Sequence, residues 1–187
     1  MTEFENRWLP VIAGKIIREI DGEVINECEN IENINGQPNG EVRIGEYRYP
    51  VIDGKIIKEL DGQPIDDCSG IRNIGGQLNG RVKIFFRWLP VIEGRVYNNI
   101  GNKYFDDCDD VRNINGRLNC RIRIGQCWRP VVDGQLINDL YGETIIDCRT
   151  HNIGRLLNGE VVTQRRILNL FYVKRRNNLL LVKFAKK

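Results

Sequence analysis

The chain has 187 residues, with 28 Lys and Arg, 25 Asp and Glu and one His, which give a net charge of +3 at neutral pH. This length allows one sizeable core or two small domains, and the composition is ordinary for a globular protein. The start, 1–7, lacks the apolar run of a secretory signal, and no apolar stretch approaches the ~20 residues that span a bilayer. We therefore expect a cytoplasmic protein with no transmembrane segment.

Charge is unevenly distributed along the chain. Residues 161–187 hold eight Lys and Arg and no acid, whereas residues 1–160 carry 20 bases and 25 acids. A mildly acidic body is therefore followed by a strongly basic tail. We predict two units on this basis, a repeat domain over 1–160 and a C-terminal tail over 161–187 that packs on it.

A unit of forty residues is repeated four times. Cysteine recurs at Cys28, Cys68, Cys108 and Cys148, and proline recurs at Pro10, Pro50, Pro90 and Pro130. A fixed internal period predicts a repeat architecture. It also argues against a conventional active site, because catalysis needs different residues in different roles and a repeat supplies the same residue four times.

The first part of each copy predicts a short turn and a hairpin. Copy two begins with Pro50-Val51-Ile52 and turns at Asp53-Gly54, where glycine supplies the positive φ that a tight turn needs. Lys55–Leu60 and Gln63–Cys68 then flank Asp61-Gly62, which is a strong hairpin signal. Equivalent turn residues stand in the other three copies.

The second part of each copy predicts another hairpin. In copy one, Ile31–Ile34 turns at Asn35-Gly36 and continues into the closing strand Glu41–Ile44. The closing strands read Glu-Val-Arg-Ile, Arg-Val-Lys-Ile and Arg-Ile-Arg-Ile in the first three copies. Alternation with a period of two indicates half-buried strands, so we expect no helix longer than two turns within residues 8–160.

A shorter repeat lies inside the longer one. Ile57–Cys68 aligns with Ile71–Val82, each with an acid or amide at its third position and glycine at its sixth, so the chain holds about eight hairpin units. This pattern resembles the β-flower proteins, small bacterial all-β repeats built on units such as I-x-D-x-x-G-x-x-I-G-x-I. The resemblance covers residues 15–160, although Asn26, Asp66 and Asp106 replace the late glycine. It implies a fold and no activity.

We therefore predict an all-β fold of four tandem repeats of paired hairpins, closed with pseudo-fourfold symmetry as in a β-flower. A small four-bladed propeller or barrel is the alternative. Copy four lacks one residue between Cys148 and Asn152, as terminal repeats often do. His151 lies in this irregular segment and is interpreted as an ordinary surface residue.

The tail predicts a final hairpin with a basic turn. Two apolar segments, 167–173 and 179–184, flank the turn 174–178. One interpretation is structural, with the tail packed on the repeat domain and its charges in water. The alternative is a grip on a phosphate backbone or an anionic membrane surface. The candidate polyanion-binding residues are Arg165, Arg166, Lys174, Arg175 and Arg176.

The repeated cysteines are interpreted as small buried hydrophobic residues rather than ligands or disulfides. Convergence on a tetrahedral metal is the alternative for Cys28, Cys68, Cys108 and Cys148. The acids that precede them, Glu27, Asp67, Asp107 and Asp147, are interpreted as solvated or paired with neighbouring bases, with a hard cation as the alternative. We predict core or repeat-to-repeat packing for Trp8, Trp88 and Trp128.

These observations predict a non-enzymatic β-repeat scaffold or interaction module. The alternatives are nucleic-acid or anionic-surface binding through the tail and, after that, metal binding. We expect a protein as the partner and favour it over nucleic acid, and we infer neither a cofactor nor a small-molecule substrate.

Overall fold

Every regular element in the described part of the chain is a β-strand. The computed structural model describes residues 8–140, 142–153, 156–163, 167–176 and 179–184, with side chains over 8–140, 142–149 and 160–163. The predicted all-β class is confirmed, and no helix of the described residues is long and apolar enough to cross a membrane.

The chain begins with two hairpins of two-residue strands and then enters a regular series of sheets. The hairpins are β1 (Val11–Ile12) with β2 (Lys15–Ile16), and β3 (Glu19–Ile20) with β4 (Glu23–Val24). The first four-stranded antiparallel sheet contains β5 (Glu27–Ile34), β6 (Gln37–Ile44), β7 (Tyr47–Ile52) and β8 (Lys55–Ile56).

The same arrangement is repeated twice. A short hairpin, β9 (Glu59–Leu60) with β10 (Gln63–Pro64), precedes the second sheet of β11 (Asp67–Ile74), β12 (Gln77–Ile84), β13 (Arg87–Ile92) and β14 (Arg95–Val96). Another, β15 (Asn99–Ile100) with β16 (Lys103–Tyr104), precedes the third sheet of β17 (Asp107–Ile114), β18 (Arg117–Ile124), β19 (Cys127–Val132) and β20 (Gln135–Leu136).

The last sheet has five strands and includes the tail. Its order is β21 (Asp139–Leu140), β22 (Glu143–Ile153), β23 (Leu156–Thr163), β24 (Ile167–Arg176) and β25 (Leu179–Phe184). The predicted boundary at residue 160 falls within β23. The tail hairpin extends the sheet of the fourth copy, because β24 pairs with β23 and β25 pairs with β24.

The predicted hairpins form, with one correction to their pairing. Lys55-Ile56 pairs backwards with Val51-Ile52 around the Asp53-Gly54 turn instead of belonging to the Asp61-Gly62 hairpin. The arms of the Asp61-Gly62 hairpin are therefore only two residues long, and Cys68 lies in the next sheet. The segment Lys55-Ile56 lies between two tight turns, and it pairs across the earlier one.

A β-bulge interrupts the first strand of each regular sheet. In β11 the pairing jumps between Ser69 and Arg72, so that Gly70 and Ile71 lie opposite Gly80. The first residue of the bulge has a positive φ in all three sheets, as Asn30, Gly70 and Asp110, which is the geometry of a G1 bulge. Copy four pairs without a break from Arg149 to Ile153, so the residue that it lacks is the bulge residue.

Consecutive copies stack on one another. The first strand of a sheet contacts the second or third strand of the preceding sheet: β11 contacts β6 and β7, β17 contacts β12 and β13, and β22 contacts β18 and β19. The largest core cluster spans the second and third copies and includes Leu89, Phe105 and Ile122. In the described residues the extensive contacts join neighbouring copies and no sheet closes into a barrel, so the predicted closure with pseudo-fourfold symmetry is not observed.

One turn departs from the others in its residues and its backbone. Phe85-Phe86 joins β12 to β13 with φ values of 48° and 66°, and the two side chains are 62% and 89% exposed. Gly45 and Gly125 occupy the position of Phe85 in the neighbouring copies, also with positive φ. A non-glycine residue in this region costs about 1–2 kcal/mol, so this turn reduces the stability of the second copy.

We expect Phe85→Gly to stabilise the protein by about 1 kcal/mol, because glycine relieves the left-handed strain without removing a buried contact. Thermal unfolding followed by circular dichroism measures the change. Phe86→Gln is the matched control, since it removes a neighbouring exposed ring but retains the backbone penalty, and it should leave stability nearly unchanged. A loss of stability in Phe85→Gly would contradict the prediction.

Candidate functional site

A ladder of buried asparagines connects the copies. Asn79 donates to the carbonyl of Gln77 over 2.9 Å, and its Oδ1 accepts from the amide of Glu93 at 3.0 Å. The same Oδ1 accepts from Nδ2 of Asn113, in the next copy, at 2.8 Å. One side chain thus fixes the start of its own strand, the turn after β13 and the following sheet.

The copy before repeats the same contacts. Asn39 donates to the carbonyl of Gln37 and accepts from the amide of Asp53 at 2.7 Å and from Nδ2 of Asn73 at 2.6 Å. Nδ2 of Asn73 also lies 2.7 Å from Oδ1 of Asp53. Successive copies are therefore held in one register, and equivalent surface positions are presented in the same way by each copy.

A second residue that bonds to the next copy is acidic in copy one and basic in copy two. Oε1 of Glu41 accepts from the amide of Ile71 in the next copy at 3.0 Å. In copy two the equivalent residue is Arg81, which donates to the carbonyl of Cys108 in the following copy at 2.9 Å. A carboxylate bonds an amide at one junction and a guanidinium bonds a carbonyl at the next.

Glu41 is an acid in an unusually buried position, since it is only 1% exposed. Burial raises the pKa of its carboxyl, and the bond from Ile71, the charge of Arg48 and a bond with Asn30 only partly offset this effect. Nη1 of Arg48 lies 3.8 Å from Glu41 and 3.2 Å from Glu29. The first junction therefore holds a partly compensated carboxyl.

A concave feature lies at the junction of copies two and three. A cavity of about 220 Å³ adjoins another of about 210 Å³, and both are lined by Gly70, Arg72, Gly80, Val111 and Arg112. We call this feature the junction groove. Ser69, Arg81, Asp109 and Asp110 complete one end, and Ile74, Asn79, Asn113 and Ile114 complete the other.

Two glycines shape the wall of the groove. A Cβ on Gly80 would lie 2.8 Å from the carbonyl oxygen of Gly70, so this crossing needs glycine at residue 80. Gly70 itself has open space beside it, whereas the equivalent bulge positions carry Asn30 and Asp110. Copy two therefore has a bare wall where its neighbours have polar side chains.

The charged residues that line the groove are three arginines and two aspartates. Arg81 lies 3.5 Å from Asp109, which also pairs with Arg121, and Nε of Arg112 lies 3.0 Å from Asp110. Burial opposes ionisation of Asp109, but the bonds from Arg121 and Asp110 and the nearby guanidinium charges lower the pKa of its carboxyl overall.

Arg72 stands apart from these pairs. It is exposed, and in the described part of the chain no hydrogen bond or ion pair joins its guanidinium to the protein. Arg72 and Arg112 occupy the same position in successive copies and both line the groove, so that two guanidinium groups serve one concave surface.

The repeated cysteines are core residues in three copies. Cys68, Cys108 and Cys148 are buried and Cys28 is half-buried, and none of the six cysteines forms a disulfide. Burial raises the pKa of the Cys68 and Cys108 thiols far above the ordinary value. No group of three or more His, Cys, Asp or Glu suited to a metal occurs among the described residues.

The acids before these cysteines pair across the strands in two copies. Glu27 lies 3.4 Å from Arg43, and Asp107 lies 3.5 Å from Arg123. The tryptophans differ among themselves. Trp88 and Trp128 are half-buried beneath Arg81 and Arg121, whose guanidinium carbons lie 4.7 Å and 5.1 Å from the ring centroids, whereas Trp8 is exposed.

The tail candidates are only partly described. Lys174, Arg175 and Arg176 lie within strand β24 and pair with Leu181, Leu180 and Leu179. They therefore belong to an arm of the predicted hairpin and not to its turn. Arg165 and Arg166 lie outside the described residues, as does the side chain of His151.

The chain matches no protein-family model, and comparisons with curated proteins and with solved structures give no match either. The resemblance to β-flower proteins therefore stays a prediction.

Sequence reasoning missed the asparagine ladder and the junction groove. The Asn-Gly pairs at Asn39-Gly40 and Asn79-Gly80 have the sequence of a tight turn, although each lies inside a strand. Their recurrence, with Asn119 after a further forty residues, was the available signal. The groove was not visible in the repeat, because it depends on Gly70 departing from its equivalents.

We expect Asn79→Ala to destabilise the protein by about 3 kcal/mol, because it leaves the Glu93 amide and the Gln77 carbonyl without their buried partner. Urea unfolding followed by circular dichroism measures the loss. Asn99→Ala is the matched control, since Asn99 is exposed and bonds only its neighbour Asn98, and its effect should stay within about 0.5 kcal/mol. Equal losses in the free energy of unfolding of the two variants would contradict the prediction that the ladder stabilises the fold.

The raised pKa of Glu41 predicts a pH-dependent contribution to stability. The folded protein holds the Glu41 proton to a higher pH than the unfolded chain, so the free energy of unfolding falls as pH rises through the folded-state pKa. Glu41→Gln retains an acceptor for the Ile71 amide and cannot titrate. We therefore expect the stability of this variant relative to wild type to increase from acid to neutral pH, measured by urea unfolding across that range. Glu46→Gln, at an exposed turn, is the control, and a difference that shrinks towards neutral pH would refute the prediction.

Proposed function

We propose that this protein is a non-enzymatic β-repeat interaction module that binds an acidic peptide segment of a partner protein in the junction groove. The observation that carries the proposal is the pair Arg72 and Arg112, which line one groove from equivalent positions of successive copies. Guanidinium groups suit carboxylates because they offer paired donors in a fixed plane. In the described part of the chain Arg72 makes no hydrogen bond or ion pair, so a ligand that binds it displaces no such contact.

The groove also has the rigidity that a binding site needs. Asn79 and Asn113 line one end of it and are bonded to each other. A wall fixed by a buried hydrogen bond loses little conformational freedom when a ligand binds, and this improves affinity for a given set of contacts. Two arginines of the groove already have a carboxylate beside them, because Arg81 pairs with Asp109 and Arg112 pairs with Asp110.

A short acidic segment fits this site better than a long polyanion. The repeat domain carries 25 acids against 20 bases over residues 1–160, so its overall field repels an extended nucleic acid. A peptide with a few carboxylates experiences mainly the local field, since distant charges are screened beyond about 8 Å at physiological salt. Binding through the basic tail remains the alternative proposal.

A labelled peptide of alternating Glu and Ser tests the proposal by fluorescence anisotropy. We expect the paired change Arg72→Ser with Arg112→Ser to weaken binding by about tenfold or more, since a charge-assisted bond contributes roughly 1.5–3 kcal/mol. The matched control is Arg95→Ser with Arg117→Ser, which removes the same charge at exposed positions that do not line the groove.

A second variant closes the groove without changing its charge. Gly70→Asn places at residue 70 the side chain that copy one already carries at Asn30, also with positive φ, so the fold should be retained while binding is lost. Loss of binding only when Lys174, Arg175 and Arg176 are changed to Ser would favour the tail. Binding of a single-stranded oligonucleotide but not of the peptide would favour nucleic acid, and no binding of either ligand would overturn both proposals.

A further inference from the structure

One end of the junction groove is lined by arginine and by no acid. The cavity of about 210 Å³ has Arg72 and Arg112 in its wall, together with apolar and amide side chains. The aspartates of the groove, Asp109 and Asp110, line only the cavity of about 220 Å³. Two guanidinium charges therefore face the smaller cavity without a carboxylate in its wall. We call it the acid-free cavity.

Both guanidinium groups have donors that a ligand can use. Arg72 makes no hydrogen bond or ion pair with the described residues, so its N–H groups are unoccupied there. Arg112 bonds Oδ1 of Asp110 through Nε at 3.0 Å. This bond fixes the orientation of the guanidinium and leaves the N–H groups of both Nη atoms for a ligand.

A phosphoryl group matches this pair of arginines better than a carboxylate does. A phosphorylated serine carries a charge of about −1.5 to −2 at neutral pH and has three strong acceptor oxygens. It can therefore accept from both guanidinium groups at once. A carboxylate carries a single charge, and one guanidinium already satisfies it in bidentate geometry. The second arginine of the acid-free cavity is thus the feature that favours a phosphoryl group.

The neighbouring junction lacks these features. Gly70 lines the acid-free cavity, and a Cβ built on it would have no atom within 4 Å. In copy one the equivalents of Gly70 and Arg72 are Asn30 and Glu32. Asn30 would occupy the space beside the bulge, and the charge of Glu32 would repel a phosphoryl group. Of these two junctions, only that of copies two and three suits a phosphorylated ligand.

An apolar surface borders the two arginines. Ile74 and Ile114 line the acid-free cavity from equivalent positions of successive copies. Ile74 is 44% exposed, whereas Ile114 is half-buried. A ligand with an apolar side chain next to its charged group would remove this isoleucine from water, which is favourable in proportion to the apolar area covered.

We propose that the acid-free cavity binds a phosphoserine that has an apolar residue next to it in the partner protein. This inference rests on the proposed function, because it specifies the acidic peptide that the junction groove binds. Phosphorylation of the partner then controls the interaction, since the modification supplies the charge that pairs with the second guanidinium group. Clusters of arginine recognise phosphorylated segments in this way.

Four labelled peptides test the proposal by fluorescence anisotropy. Each is an alternating Glu and Ser sequence, and its centre is Ser-Leu, phosphoserine-Leu, Glu-Leu or phosphoserine-Ser. We expect the phosphoserine-Leu peptide to bind about tenfold or more tightly than the Glu-Leu peptide, because its phosphoryl group bonds both guanidinium groups. The phosphoserine-Ser peptide should bind about threefold or more weakly than the phosphoserine-Leu peptide, since it lacks the apolar contact.

Two protein variants assign these preferences to residues. Arg72→Lys keeps the charge but loses the planar pair of donors, and it should reduce the preference for phosphoserine over Glu to about threefold or less. Arg95→Lys is its control, because Arg95 is exposed and does not line the cavity. Ile74→Ser should abolish the preference for Leu, whereas Val24→Ser, at a residue that is 63% exposed elsewhere, should retain it. Circular dichroism confirms that each variant is folded.

The outcomes separate this inference from the proposed function. Equal binding of the phosphoserine-Leu and Glu-Leu peptides, lost for both in Arg72→Ser with Arg112→Ser, would overturn this inference and support the proposed function. No binding of any peptide would overturn both. A preference for phosphoserine that survives the paired arginine change would place the phosphoryl group elsewhere and overturn the inference.

Competition distinguishes a phosphopeptide from other sources of phosphate. Unlabelled phosphoserine-Leu peptide should displace the labelled one, and inorganic phosphate at the same concentration should displace about tenfold less, because it lacks the peptide contacts. Displacement by inorganic phosphate as effective as that by the peptide would overturn the inference in favour of a site for free phosphate. Equal displacement by a single-stranded oligonucleotide would overturn it in favour of nucleic acid.

Discussion

A buried amide that serves three partners is the constraint on which this structure depends. Asn39 and Asn79 each satisfy a carbonyl of their own strand, the amide of a turn fourteen residues later and an asparagine of the next copy. Such groups are costly when one partner is lost, because the remaining donors and acceptors are buried away from water. The ladder therefore couples the local turn to the stacking of copies.

The described part of the ladder runs from the first copy to the third. Asn119 keeps the bonds to its own strand and to the amide of Asp133. Copy four lacks the bulge residue, so Asn152 is the equivalent of Asn113, and it pairs with Leu157 as Asn113 pairs with Leu118. The side chain of Asn152 lies outside the described residues. Loss of the bulge residue therefore shifts this asparagine by one position along the chain without changing its partner in the next strand.

The sequence was sufficient for the elements whose cause is local. Alternation along Glu41–Ile44 and the glycines at Gly36, Gly54 and Gly62 predicted strands and turns, because period and positive φ depend on a few neighbouring residues. Burial of Cys68, Cys108 and Cys148 followed from the same pattern. How the copies are arranged was not predictable in this way, since an identical repeat is compatible both with closure into a ring and with linear stacking.

The candidate site was hidden for a related reason. A repeat in the sequence shows only what its copies share. The junction groove instead depends on the absence of a side chain at Gly70 in copy two. It also depends on arginine at equivalent positions of copies two and three. Copy one has Glu32 where copies two and three have Arg72 and Arg112. The shared asparagines, bulges and turns build a rigid frame, and the few positions that change from copy to copy give each junction its own shape and charge. Function in such an array is therefore to be sought where a copy departs from the consensus, and the groove and the Phe85-Phe86 turn are two such departures.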